Sequence, residues 1–460
     1  MSTTAAASTA DATCTAESLA SRRISSEALT SRYLDTIAKH DGGAFTYVDA
    51  DGALAAARAA DARLAAGESL GSLDGLPVAL KANIAVRDWP HTAGLRFRGD
   101  DHALNDAFVV RQLRRAGAVL LGLTAMDEGA LGAEGMNPWY GTTQNPLRRG
   151  YSAGGSSAGA GAAISANLCA LALGTDTIGS VRIPASFCGC VALKPSFGLL
   201  SVGDVVPVHL RFDHVGLLTR SARDLALALP HLAMADPHCR VSVPMKLAPP
   251  RSGSAPLRMG YAVGLDAFSL EDAVLDAYNR AIVAARSLGA DLQPVDLSRW
   301  DIPRLRRGIL ALCEAQMWRV HGERSTTRPE DFSDSLRAFI RYGGKLTAGE
   351  LAQAEARIAG FYADWMKVMA DHEVVMLPTT ACRAFPHRER RPQNTADLTS
   401  IASATGLPAI SLPVACQTPG HDTAGLRPLP AGLQLIGRAA ADLGLIQVAE
   451  RLEAALHASG

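Results

Sequence analysis

The sequence predicts an α/β protein: a single large domain with a central mixed β-sheet covered by helices on both faces. Residues 107–122 read as a helix followed by a buried strand, the unit from which α/β folds are assembled. Short apolar runs that read as buried strands lie toward both ends of the chain, at 77–81 and 118–121 and again at 374–378, 406–413 and 432–437. The stretch between them, about 225–370, is mostly helical in pattern, so the two ends are expected to share one sheet with a peripheral helical insert. At 460 residues, length alone leaves open two or three domains or one unusually large one. The distribution of strands favours one domain over 16–460, preceded by a flexible, Ala/Ser/Thr-rich start at 1–15.

Taken in order, Leu29, Tyr33 and Ile37 recur at four-residue spacing on an amphipathic helix, and Ala53–Ala66 forms an alanine-rich helix that Gly67 stops. Gly75-Leu76-Pro77-Val78-Ala79-Leu80-Lys81 is a turn and a buried strand carrying a lysine at its end. Residues 129–141 are punctuated by glycine and turn signals, and a loop placed there is expected to line a substrate pocket through Ala130, Leu131 and Gly132. Ala158–Leu173 is a small-residue helix followed by an apolar run, bracketed by two serine-bearing glycine turns, Gly154-Gly155-Ser156-Ser157 and Gly174–Ser180. Within the insert, Tyr362, Trp365 and Met369 form a stripe at helical spacing that reads as core. A helix over 442–455 closes the chain.

Composition narrows the function. Hydrophobic residues make up 48% and charged residues 20%, and 45 Lys plus Arg balance 45 Asp plus Glu. That balance gives no field for nucleic acid or an anionic membrane, and a neutral small molecule is the expected partner. Eight cysteines without regular spacing read as buried thiols of a reducing compartment; Cys188-Gly-Cys190 lacks the second pair that zinc needs. With no secretory leader and no long apolar run, the expected setting is the cytoplasm.

Two serine turns that converge supply hydroxyl chemistry if a base reaches them. A phosphate-binding loop needs Lys-Ser or Lys-Thr directly after its glycines, and Gly154–Gly159 has neither. The dinucleotide fingerprint is also missing, and neither Ser156 nor Ser180 sits in Gly-x-Ser-x-Gly. His209 and His214 are not tied by spacing to a serine and read as structural. Lys81 is a candidate base, because burial disfavours its ammonium form and lowers its pKa.

Lys81 after Gly-Leu-Pro-Val-Ala-Leu, the Gly-Gly-Ser-Ser turn, Gly-Thr-Asp-Thr-Ile-Gly-Ser-Val-Arg-Ile-Pro-Ala and Phe-Cys-Gly-Cys-Val-Ala-Leu-Lys-Pro-Ser-Phe-Gly together resemble the amidase signature family. Gly406–Pro413 and Gly432–Gly437 resemble its C-terminal strands. The resemblance implies a Ser-cisSer-Lys triad: Ser180 the nucleophile, Ser156 the bridging serine after a cis peptide, and Lys81 the base. It further implies an oxyanion hole from the backbone N–H groups of Thr177, Ile178, Gly179 and Ser180, with Ser157, Asp176 and Arg182 in support. The sequence departs from the family pattern at Ala82, Ala158 and Ile178, which bears on the shape of the pocket.

The implied activity is cofactor-independent and metal-free hydrolysis of the C–N bond of a small amide through an acyl-enzyme, with anilides, carbamates and esters open to the same chemistry. A monomer or homodimer is expected. The alternative is the amidase subunit of a tRNA-dependent amidotransferase, which releases ammonia from glutamine for a partner.

Overall fold

The computed structural model describes residues 10–252, 256–416 and 428–458. Its sheet has eleven strands: β1 (Phe45–Val48), β2 (Pro77–Lys81), β3 (Val119–Thr124), β4 (Leu171–Asp176), β5 (Val191–Lys194), β6 (His214–Thr219), β7 (Arg258–Val263), β8 (Asp291–Asp296), β9 (Val374–Pro378), β10 (Ala409–Val414) and β11 (Ala431–Gly437). The helices are α1 (Ala12–Ala20), α2 (Ser26–Lys39), α3 (Ala50–Ala66), α4 (Phe108–Arg115), α5 (Ala158–Ser165), α6 (Arg182–Cys188), α7 (Ala222–Leu232), α8 (Asp272–Ser287), α9 (Ile302–Thr327), α10 (Asp334–Gly343), α11 (Ala348–Asp371), α12 (Asp397–Thr405) and α13 (Asp442–Ala458).

Across the sheet the strands run β1, β3, β2, β4, β6, β5, β10, β11, β9, β7, β8. The sheet is mixed. β2 lies parallel to both β3 and β4, and β7 parallel to β8 and β9, while β4–β6–β5–β10–β11–β9 are joined antiparallel. Every residue of β2, β4 and β11 is buried. A strand reads as continuous apolar sequence only when both its faces are covered. The cover is helical on each side: α6 and α13 pack on the same two strands, β10 and β11, with Gly432 of β11 facing Ser186 of α6 and Gly437, five residues on and so on the other face, facing Leu445 of α13.

The register of the central strands brings the chemistry together. Val78 pairs with Leu171 and Leu80 with Leu173 in parallel, so the C-terminal ends of β2 and β4 lie side by side. Lys81 closes the first and Thr175–Asp176 the second. The helix α5, six of whose eight residues are alanine or glycine, lies close enough for backbone contact: a Cβ on Gly159 would come within 2.3 Å of the Ala44 carbonyl oxygen.

Two expectations change. The flexible start expected over 1–15 is overtaken by α1, which begins at Ala12, capped by Asp11 accepting from Cys14 N–H and docked by Thr13 donating to Asp224 at 2.8 Å; residues 1–9 lie outside the described residues. The mostly helical insert also supplies β7 and β8 to one edge of the sheet. In α11 the buried stripe runs Ile358, Phe361, Trp365 and Met369, while Tyr362 is 46% exposed; the four-residue step of a packed helix face selects Phe361 in its place. Among the described residues no helix is long and apolar enough to cross a membrane.

Trp365 is fully buried against Phe361 and Trp300. Trp365→Ala is expected to lower unfolding free energy by about 3–5 kcal/mol, and Tyr362→Ala to change it by less than about 1 kcal/mol. The midpoints of denaturant unfolding measure both.

Candidate active site

Lys81 has no solvent exposure. Its Nζ donates to Ser156 Oγ and to Thr175 Oγ1, each at 2.8 Å, and Asn83 Nδ2 donates to the same Thr175 oxygen at 3.2 Å. Ser156 follows a cis Gly155–Ser156 peptide. Burial pushes the Lys81 pKa from 10.5 down to about 7, against the pull of the Asp127, Asp176 and Asp213 carboxylates. A lysine with that pKa is substantially neutral at physiological pH and can accept a proton from the hydroxyl it touches.

Ser180 stands at the edge of a cavity of about 390 Å³. Its carbonyl accepts from Ser157 N–H at 3.1 Å, and the Ser157 hydroxyl donates to the Thr175 carbonyl at 3.1 Å, which ties the two serine turns together. Among the described residues the Ser180 hydroxyl has no hydrogen-bond partner, so the step from Ser156 to Ser180 is open in this state. Hydrogen bonds of this kind commonly close only around bound substrate.

The turn carrying Ser180 is held from beneath by a buried ion pair. Arg182 Nε and Nη2 donate to the two Asp176 oxygens, each at 2.9 Å, with both side chains fully buried. Arg182 also donates to the Thr399 carbonyl, Gln434 Oε1 and Ser403 Oγ, which joins the turn to α12 and β11. Burial pushes the Asp176 carboxyl up, but the guanidinium outweighs it and holds the group well below the usual carboxylate range. Asp176 accepts in addition from Gly179 N–H at 2.7 Å. That N–H is therefore spent; of the four donors expected from the sequence, the N–H groups of Thr177, Ile178 and Ser180 have no acceptor among the described residues. Gly179 adopts φ +128°, and a Cβ there would meet Thr399 Oγ1 at 2.5 Å.

Two further buried carboxylates act on the site, neither of them picked out from sequence. Asp127 accepts from Gly135 and Met136 N–H groups at 3.1 Å and lines the cavity, and burial pushes its pKa up to about 6. Gly155 is glycine because a Cβ would lie 1.9 Å from Asp127 Oδ2. Asp213 accepts from Thr177 Oγ1 at 2.7 Å and from the Val208 and His209 N–H groups, and burial pushes it likewise to about 6. A charged residue within an apolar, glycine-rich run, as at Asp127, is the signal that could have marked it.

Ala130, Leu131 and Gly132 lie on the cavity wall. The opposite wall contradicts the reading of the insert as peripheral: α9 contributes Arg306, Leu310, Cys313 and Glu314, and α10 contributes Ser335, Leu336 and Phe339. Helical periodicity marks an apolar face without saying what that face covers. Arg306 pairs with Asp397, Glu314 with Arg307, and Arg391 with Glu134, so both signs of charge ring a chamber of mixed polar and apolar lining. Of the three departures from the family pattern, Ile178 lines the cavity, whereas Ala82 and Ala158 are buried away from it. His214 is buried between Lys194 Nζ at 3.2 Å and the Phe212 carbonyl at 2.7 Å, and His209 Nδ1 accepts from Arg211 N–H, so both histidines are structural. Cys188 and Cys190 are free, buried thiols.

The Amidase family profile matches residues 28–446. A glutamyl-tRNA(Gln) amidotransferase subunit from Acidothermus cellulolyticus is 34% identical over 446 residues, covering 90% of this chain and 87% of that protein. A solved structure described as a vestigial protein complex bearing on the origins of an s-triazine catabolic enzyme superposes with a TM-score of 0.88 at 31% identity, covering 98% of this chain and 99% of the other. A crystal structure of an amidase superposes at 0.83 and 28% identity, covering 97% and 100%.

The lysine geometry sets a pH dependence. Lys81 accepts a proton only when neutral, so the rate of covalent labelling of Ser180 by a fluorophosphonate is expected to climb as pH rises through about 7 and then level. Intact-mass measurement of the labelled fraction against time checks this, and a rate independent of pH across that range contradicts it.

Proposed function

The chain belongs to the amidase family, and from that premise we propose that it cleaves the carbon–nitrogen bond of a small amide through an acyl-enzyme on Ser180. The observation that carries the reading is the buried Lys81 amine, 2.8 Å from Ser156 and held near neutrality, beside the cavity that Ser180 lines. Lys81 takes the proton of Ser156, Ser156 takes that of Ser180, and Ser180 Oγ attacks the carbonyl carbon. The oxyanion that forms is met by the N–H groups of Thr177, Ile178 and Ser180; one such donor is worth about 3–4 kcal/mol of barrier. The proton returns through Ser156 to the departing nitrogen, the C–N bond breaks, and water entering by the reverse relay releases the acid. Asp176 and Arg182 hold the donors in place. The setting is cytoplasmic.

The second reading is the ammonia-releasing subunit of a tRNA-dependent amidotransferase, acting on glutamine with a partner subunit. The curated relatives, such as the Acidothermus protein, weigh toward it over a free-standing monomeric or homodimeric hydrolase. Arg306, Arg391, Glu134 and Glu314 around the cavity are in keeping with it, since a free amino acid brings one charge of each sign.

Ser180→Ala is expected to abolish turnover and acyl-enzyme formation, and Lys81→Ala to leave residual activity that rises with pH or added amine. Full activity in Ser180→Ala contradicts the mechanism. A mass-spectrometric panel of glutamine, simple amides, anilides and carbamates separates the two readings: preference for glutamine with co-purification of a second subunit selects the amidotransferase, and turnover of the other amides by the isolated chain selects the hydrolase.

A further inference from the structure

Glu128 lies next to Asp127 but outside the cavity, and the two walls of the cavity meet on it. It is buried, and its Oε1 accepts from Trp139 Nε1 at 2.8 Å and from Ser333 N–H at 3.1 Å. Trp139 belongs to the loop whose residues Ala130–Gly132 form one wall. Ser333 is the N-cap of α10, its hydroxyl accepting from Leu336 N–H at 3.2 Å, and α10 forms the other wall through Leu336 and Phe339. A carboxylate at a helix N-terminus is favoured by the helix dipole, and a buried hydrogen bond to a charged group is stronger than one between neutral groups. The same junction is braced beside Glu128. Arg96 lies over the Trp139 ring at 4.9 Å and donates to the Glu330 carbonyl at 3.0 Å, and Phe97 packs on Phe332 at 5.3 Å.

We propose that Glu128 is a positioning residue that sets the width of the substrate cavity by tying α10 to the Ala130–Gly132 loop. This rests on the reading of that cavity as the site of Ser180 chemistry. Glu128 touches no reacting atom, so its loss acts on binding in the cavity and leaves the chemical step intact.

The test uses the full-length protein and a benzyl-bearing alkyl fluorophosphonate, whose inactivation kinetics separate binding (KI) from bond formation (kinact). Glu128→Ala is expected to raise KI about tenfold, the scale of one charged hydrogen bond, with kinact changed less than about twofold. Glu128→Gln is expected to recover most of the loss, because an amide oxygen accepts from both donors. Ser333 has φ −63°, which proline adopts, so Ser333→Pro removes the N–H donor and the hydroxyl cap, while Ser333→Ala removes the cap alone. Ser333→Pro is expected to raise KI more than Ser333→Ala, and Glu128→Ala with Ser333→Pro to be no worse than Glu128→Ala by itself. Hydrogen exchange over 334–343 is expected to quicken in Glu128→Ala while the central strands keep their protection. If Glu128→Ala does not fold, the comparison of Ser333→Pro with Ser333→Ala decides. An unchanged KI in Glu128→Ala, or equal KI values for the two Ser333 variants, overturns the proposal. Ser180→Ala is the control for the underlying reading: labelling that persists there defeats the reading of the site, whereas no labelling there with an unchanged KI in Glu128→Ala defeats the tie alone.

Discussion

An amine without water is the constraint on which the site depends. Moving the Lys81 pKa from 10.5 to about 7 corresponds to roughly 5 kcal/mol of preference for the neutral form, and the cause is complete burial at the end of β2. A surface lysine could not serve, because water would keep it protonated. The three carboxylates around it pull the other way, and the site works in the balance between them. Asp176 is committed to Arg182, while Asp127 and Asp213 are themselves pushed up to about 6 by burial. None of the three makes an ion pair with the amine, which instead donates to two hydroxyls. Direct pairing to a carboxylate would favour the ammonium and remove the base.

A second demand is that the N–H groups facing the cavity stay fixed without substrate. The Asp176–Arg182 pair meets it by spreading one guanidinium over β4, α12 and β11. Breaking a buried pair on one side leaves an uncompensated charge, which is costly, so the turn is locked to the sheet core. Glycine then appears where neighbouring groups leave no room: Gly155 against Asp127 and Gly179 against Thr399.

The cavity itself is built between regions far apart in sequence. One wall comes from the loop after β3, the other from α9 and α10, and the floor from the turn carrying Ser180. The buried lysine and the two serine turns thus come from one part of the chain and much of the cavity wall from another. The ends of β2 and β4 and the turns beside them place Lys81, Ser156 and Ser180, and the helices of the insert, with Ile178, line the cavity.

Much was legible in the sequence because it is local. Apolar runs bounded by glycine and proline gave the strands; a lysine ending such a run, and two serine turns around a small-residue helix, pointed to Lys81, Ser156 and Ser180. The motifs carry that information because they encode backbone geometry within a few residues. What tertiary structure alone decided involves partners chosen across the fold. Gly179 N–H turns to Asp176 rather than to the cavity; Asp127 and Asp213 converge on Lys81; Phe361, not Tyr362, completes the buried stripe of α11; and α9 and α10 close over the cavity when the sequence showed only a mostly helical insert. Periodicity specifies that a face will be buried, and only the packing of the whole chain specifies against what.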